Sequence, residues 1–331
     1  MVTNRVDVVQ LTMLRGIAVL FVVFSYITRV LENNLATEEP QNVFSLFKLL
    51  DLGSFGVTIF FALSGATLYL SNKNVKYKEF LIKRIFRIWP AFAVSMCCYL
   101  VLIMYLNSYT NELSSGWVSS QLMVDVSLLD IVFYLAMLGN YIGQYQIING
   151  AYWSLPIEFQ YYLIFPLLII ILRIGTIWVI PIVCCLYFIY LNNPFSANDF
   201  LFYQLVSSFI GGVCISKYLS KSLNVKLNFY ISSVSILLII LCALLVRYDY
   251  LLKGYYYEAW CVLSLALVMI VMKTDISVIK ELFLFRWLER IGLISYSAYL
   301  YHNLVLFITS LITFKYFDFS SLLNRLYLLL S

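Results

Sequence analysis

Three ionisable side chains stand inside long apolar runs: Arg15, Glu158 and His302. On insertion scales such a group costs on the order of 3 kcal/mol in hydrocarbon, so each is a functional candidate by default. A guanidinium binds anions, and a carboxylate or an imidazole accepts protons, so the three types suit binding and acid–base chemistry. Each also has a plainer reading. Arg15 lies near one end of its run, within snorkelling reach of headgroups. Glu158 follows Pro156 in Trp153-Ser154-Leu155-Pro156-Ile157-Glu158. Pro suits a first helical turn, and a Glu two residues on stabilises the helix N-terminus. His302 sits midway along its run, where an interhelical hydrogen bond accounts for it equally well.

The elements that must position these groups follow from composition. Of 331 residues, 63% are hydrophobic and 12% charged, against about 25% charged in a soluble domain. That leaves too little charge to cover a water-facing surface. The apolar residues come in blocks such as 16–27, 89–106 and 229–246. With their flanks these approach the roughly 20 residues that a membrane-crossing helix needs, unlike the short alternating strands of a barrel. The expected fold is all-α, a polytopic transmembrane helix bundle of about 9–10 spans. Spans are expected near 11–30, 54–70, 89–107, 155–172, 175–191, 200–215, 227–246, 256–272 and 291–313. A short apolar helix over Ser127–Leu138 lies at the surface, and the tail after Lys315 makes part of a tenth span or an amphipathic end. Residues 1–331 read as one membrane domain, its first run a retained span rather than a signal peptide.

Other residue types narrow the function further. All seven cysteines lie in apolar blocks without a C-x-x-C pair, and a single histidine excludes a multi-histidine metal site, so no metal is expected. Lys and Arg collect on one side of the spans, in Lys73, Lys76, Lys78, Lys83, Arg84 and Arg87 and again in Lys273, Lys280, Arg286 and Arg290. By the positive-inside rule that side and the N-terminus are cytoplasmic. The basic residues are topology markers facing a lipid bilayer, not a nucleic-acid surface.

Five segments in order carry a family likeness. They are Leu14-Arg15-Gly16-Ile17-Ala18, Phe55-Gly56-Val57-Thr58-Ile59-Phe60-Phe61, and Lys83-Arg84-Ile85-Phe86-Arg87-Ile88-Trp89-Pro90 in a basic loop ahead of the third span. Then come Tyr152-Trp153-Ser154-Leu155-Pro156-Ile157-Glu158 and Ile294-Ser295-Tyr296-Ser297-Ala298-Tyr299-Leu300-Tyr301-His302. Over nearly the whole chain the sequence resembles the acyltransferase-3 family of inner-membrane O-acyltransferases. The resemblance implies a multi-pass protein of the cell inner (plasma) membrane. It implies an acyl group, usually acetyl, taken from cytoplasmic acyl-CoA (acetyl-CoA) and delivered to a hydroxyl of a cell-surface sugar, polysaccharide or glycolipid. Such chemistry needs a base for the hydroxyl proton, a polariser for the thioester carbonyl and cations for the CoA phosphates. Arg15, Tyr26, Glu158 and His302 then fall at catalytic positions. Lys83, Arg84, Arg87, Trp153 and Ser154 fall at donor-binding ones.

Two departures qualify that pattern. Where the family has a His after the first-span Arg this chain has Tyr26, and where an Asp is common in the second span it has Thr58. A phenol with a pKa near 10 is a poor base at neutral pH. Low or absent turnover is therefore expected, raised or restored by Tyr26→His and further by Thr58→Asp, with His302 as a substitute base and Glu158 as its orienter or as proton acceptor. Two other readings stay open. One is a non-catalytic relative that binds a ligand or partners another membrane protein. The other is a transporter, against which the lack of evident internal repeats counts.

The charge asymmetry makes the topology testable. Cysteines introduced at Val75 and Ser115 should differ in reach of an impermeant maleimide, with Ser115→Cys labelled from outside intact cells and Val75→Cys only after lysis. Labelling of Val75→Cys from outside would reverse the assigned orientation.

Overall fold

The computed structural model describes residues 8–34, 52–71, 76–107, 126–139, 148–175, 181, 200–219, 256–273 and 283–316. They form α1 (Val8–Asn34), α2 (Leu52–Ser71), α3 (Tyr77–Asn107), α4 (Leu128–Leu135) and α5 (Ser154–Ile174). After these come α6 (Phe200–Leu219), α7 (Tyr256–Lys273), α8 (Phe283–Leu293) and α9 (Ser295–Tyr316), with no strand among the described residues. Among those residues α1, α2, α3 and α5 are each long and apolar enough to cross a membrane, and α8 with α9 adds another if the bent pair is one span. Long helices are what apolar solvent demands, because every backbone N–H and C=O must find its partner within the segment. The fold is the expected all-α membrane bundle. The expected spans at 175–191 and 227–246 lie outside the described residues apart from Gly175 and Pro181, as does the tail beyond Tyr316.

Three boundaries differ from expectation, each for a physical reason. The basic stretch ahead of the third span is not a loop: α3 begins at Tyr77 and carries Lys78, Lys83, Arg84 and Arg87 on its first turns. Lys and Arg are good helix formers, and Glu79 in the first turn suits the helix dipole. Pro90 consequently lies well inside the helix rather than at its start. The run 291–313 is not one straight span either. The chain bends by 79° between α8 and α9, while Ile294 N–H still donates to Arg290 O at 3.4 Å and Ala298 N–H to Ile294 O at 2.9 Å. The expected surface helix is shorter than 127–138. Ser127 and Asp130 cap α4 reciprocally, and Met137, at φ 58°, ends it with Leu138 N–H bonded back to Phe133 O at 2.9 Å. The Trp89 indole N–H donates to Leu135 O at 2.9 Å, fastening α4 against α3.

The centre of the bundle is α2, the most deeply buried of the apolar helices. Its neighbours approach closely through small residues. Where α2 crosses α6, Gly65 faces the Phe209 carbonyl and Gly212 faces the Ala62 carbonyl. Where α1 crosses α8, Gly16 faces the Leu288 carbonyl and Gly292 faces Thr12. Without a hydrophobic drive between helices in lipid, such backbone approach and its dispersion gain hold the bundle together. Both crossings adjoin chemistry, because Gly16 follows Arg15 and Gly65 follows Ser64.

A Cβ at Gly212 would strike backbone rather than a flexible side chain. Gly212→Val should therefore destabilise the detergent-solubilised protein by at least about 1–3 kcal/mol, read as a lowered unfolding midpoint. Leu167→Ala, on the exposed side of α5, should leave the midpoint nearly unchanged.

Candidate active site

One cleft gathers most of the ionisable candidates. Its empty space is about 800 Å³, with the open solvent at its mouth included. Arg15 enters from α1, Ser64 and Thr67 from α2, Arg84 and Arg87 from α3, Glu158 and Tyr162 from α5, and Tyr296 and Tyr299 from α9. Helical periodicity makes the set. Arg84 and Arg87 are three apart, and Ser64 and Thr67 are three apart, so each pair shares a face.

Arg15 does not snorkel away. Its guanidinium donates to Thr67 Oγ1 at 3.0 Å, and Thr67 in turn donates to the Leu63 carbonyl at 2.7 Å. Arg15 feels the charges of Arg87, Arg84 and Glu158 across the cleft. Arg84 lies over two rings, 5.5 Å from the Phe80 centroid and 5.7 Å from that of Tyr162, which offsets part of its desolvation. Its Nε is buried without a hydrogen-bond partner, while Arg87 is exposed.

Glu158 is not a helix cap. It sits in the second turn of α5, where its carboxylate accepts from Ser64 Oγ at 3.2 Å and from the Tyr162 hydroxyl. Ser64 Oγ and Tyr162 OH are themselves 3.2 Å apart, closing a triangle. The carboxylate is thus held by neutral donors, leaving three guanidiniums to face the cleft with one negative charge among them. Such an arrangement binds anions and fixes a planar, charge-bearing group by several donors at once. Tyr296 OH donates to the Ile88 carbonyl at 2.8 Å and ties α9 to α3 beside the arginines.

The remaining candidates lie elsewhere. Ser154 lines the cleft, with its Oγ 2.7 Å from Tyr299 OH. Trp153 precedes α5 and packs into the hydrophobic core, and Lys83 is exposed; neither lines the cleft. Tyr26 and His302 do not line it either, but they meet each other edge-to-face, their ring centroids 4.7 Å apart. Tyr299 lines the cleft and also neighbours this pair, 5.9 Å from the His302 ring. Glu158 is held by Ser64 and Tyr162, whereas His302 Nδ1 pairs with the Tyr299 carbonyl. Thr58 is fully buried, donating to Phe55 O at 2.8 Å and reaching Trp260 O at 3.4 Å.

Ser64, Thr67, Tyr162 and Tyr299 escaped sequence reasoning as site residues. Tyr162 and Tyr299 carried a usable signal: one is four residues after Glu158, the other three before His302, each on its neighbour's helix face.

Fold and cleft define a multi-pass membrane protein with a cationic, hydroxyl-lined pocket between its helices. The acyltransferase-3 family profile, an acyltransferase domain, matches residues 8–331, and the chain belongs to that family. An O-acetyl transferase of Shigella phage Sf6 is 29% identical over 209 residues, which cover 58% of this chain and 59% of that protein. The match thus spans less than two thirds of the relative's length. No solved structure matches the chain.

Because Ser64, Tyr162 and Glu158 share one triangle, their contributions should not add. Ser64→Ala and Tyr162→Phe should each destabilise, and the double variant should depart from their sum by about 0.5–3 kcal/mol. Unfolding midpoints of the four proteins give the coupling, and strict additivity would mean that the triangle does not persist in the bilayer.

Proposed function

We propose that the protein is a membrane O-acyltransferase that takes an acyl group, acetyl in the simplest case, from acyl-CoA and passes it to a hydroxyl of a cell-surface sugar, polysaccharide or glycolipid. The observation that carries this reading is the convergence of Arg15, Arg84 and Arg87 on one open cleft. A CoA thioester has phosphates to be held and a carbonyl to be polarised, and guanidiniums do both. Family membership and the likeness to an O-acetyl transferase support acyl transfer as the reaction.

In this reading Arg84 and Arg87, on the first turns of α3, hold the phosphate end. Arg15, deeper and fixed by Thr67, sits nearer the thioester. The N-terminus and the arginine-rich helix ends face the cytoplasm of the inner (plasma) membrane, where acyl-CoA resides and where the excess of Lys and Arg belongs. Ser154 flanks the route inward, whereas Lys83 and Trp153 drop out of the donor contacts.

The test is acetyl-CoA binding and transfer by the purified protein in nanodiscs. Arg84→Ala with Arg87→Ala should weaken CoA binding by at least about tenfold, since charge-assisted hydrogen bonds contribute about 1.5–3 kcal/mol each. Unchanged affinity in correctly inserted protein would leave these arginines as topology anchors only.

A further inference from the structure

The arginine cleft changes character along its length. Its lining on α2 runs from Thr67 through Ser64 and Phe60 to Val57, and on α5 from Tyr162 through Glu158 to Leu155 and Ser154. The two series are in step, because Ser64 meets both Glu158 and Tyr162. At one end Arg15 reaches Thr67 and Arg84 lies over the Tyr162 ring. Arg87 is exposed there, so this end is open. At the other end Val57 is 5% exposed, Leu155 2%, Ser154 6% and Tyr299 6%. That end is closed. From Ser64 to Val57 is seven residues, roughly 10 Å of helix.

Both hydroxyls at the closed end have their protons committed. Tyr299 OH donates to the Ala151 carbonyl at 2.9 Å, so across the 2.7 Å between Ser154 Oγ and Tyr299 OH it is Ser154 that donates. The other lining groups there are Val57, Phe60, Phe61 and Leu155. A carboxylate placed among them finds no free donor, whereas hydrocarbon gains by leaving water. The Phe60 ring meets that of Tyr299 edge to face, with centroids 5.9 Å apart.

Resting on the transferase reading, we infer that this closed end is the acyl subsite, which takes the hydrocarbon chain of the thioester past Ser64 and leaves the CoA moiety at the arginine end. The subsite selects a short, uncharged acyl group. Phe60 sets the length: it lies about one helical turn from Ser64, and in contact with Tyr299 of α9 it limits how far a chain runs toward Val57 and Leu155. Dicarboxylic thioesters are excluded in spite of the three arginines, because their free carboxylate would be carried to the end that has no donor to offer. Charge therefore recognises the carrier, and apolar shape recognises what it carries.

The test titrates the full chain in nanodiscs with acetyl-, hexanoyl- and succinyl-CoA, each affinity referred to that of free CoA for the same variant. The parent should bind acetyl-CoA at least about tenfold more tightly than succinyl-CoA. Phe60→Ala should raise the affinity for hexanoyl-CoA relative to acetyl-CoA by at least about tenfold, a modest share of what burying the extra methylenes can supply. Val57→Ala, a smaller deletion at the closed end, should shift the ratio the same way by less, and it decides the matter if Phe60→Ala does not fold. Leu167→Ala, on the exposed side of α5, should leave the ratio as in the parent. If the folded variants keep the parent's ratio, or the parent binds succinyl-CoA as well as acetyl-CoA, the acyl subsite falls while the transferase reading stands. A parent that binds neither CoA nor any of its thioesters sinks both.

Discussion

Positive charge held among apolar helices is the constraint around which the bundle is organised. A guanidinium facing hydrocarbon costs several kcal/mol, so it survives only where donors, rings or water-filled space receive it. Arg15 finds Thr67 on α2, Arg84 finds the rings of Phe80 and Tyr162, and Arg87 is left exposed. None of these solutions works unless α1, α2, α3 and α5 stand close together. Gly56 of α2, facing the Ala18 carbonyl of α1, lets those two helices approach, and further glycine crossings brace α1 against α8 and α2 against α6. Packing of small residues and placement of charge are one design, since a helix separation of an ångström would unseat both.

Glu158 illustrates how the local balance is tuned. Had its carboxylate paired directly with an arginine, the cleft would hold less free positive charge for a ligand. Instead Ser64 and Tyr162 satisfy it from the neutral side. Hydrogen bonds to a carboxylate are worth more than those between neutral groups, so the triangle is strong without consuming a cation. The positive charge of the cleft is left without a direct carboxylate partner in this triangle.

How much of this was legible in the sequence depended on residue type. Arg15, Glu158 and His302 announced themselves because ionisable groups are rare in apolar runs, and the all-α membrane fold followed from block length. Hydroxyl residues gave no such signal: Ser64 and Thr67 are unremarkable in an apolar helix, and only the approach of α5 and α1 gives them partners. The start of α3 was misjudged because hydropathy reports where lipid begins, not where helical hydrogen bonding begins, so a basic helical extension looked like a loop. Lys83 was grouped with Arg84 and Arg87 by proximity in sequence, but one residue along a helix is a rotation of about 100°. Around the helix Arg87 lies between Lys83 and Arg84, and Lys83, beyond it, is exposed and off the cleft. The bend ahead of Ser295 was invisible for a related reason, since Ile294 is as apolar as its neighbours and the helix bonds carry across it.

The last step of synthesis concerns α9. Ser295, Tyr299 and His302 are spaced by four and three, so they follow one face of the helix, and over seven residues that face climbs roughly 10 Å. Its lower end, Ser295 with Tyr296, borders the arginine cleft, and Tyr296 is anchored to α3 through Ile88. Its middle, Tyr299, is pinned by the Ala151 carbonyl and Ser154 at the start of α5. Its upper end, His302 with Asn303, faces Tyr26 of α1 and Asn149. A single helix face thus touches the anion site, the Tyr299 ring and this buried polar cluster in order. The cleft and the buried polar cluster are joined along one rigid element rather than by separately moving loops, and rigid elements hold their geometry more tightly than loops do. The same layout explains why neither could be inferred from the other: the arginines are contributed by α1 and α3, His302 and Asn303 by α9, and Tyr299 borders both.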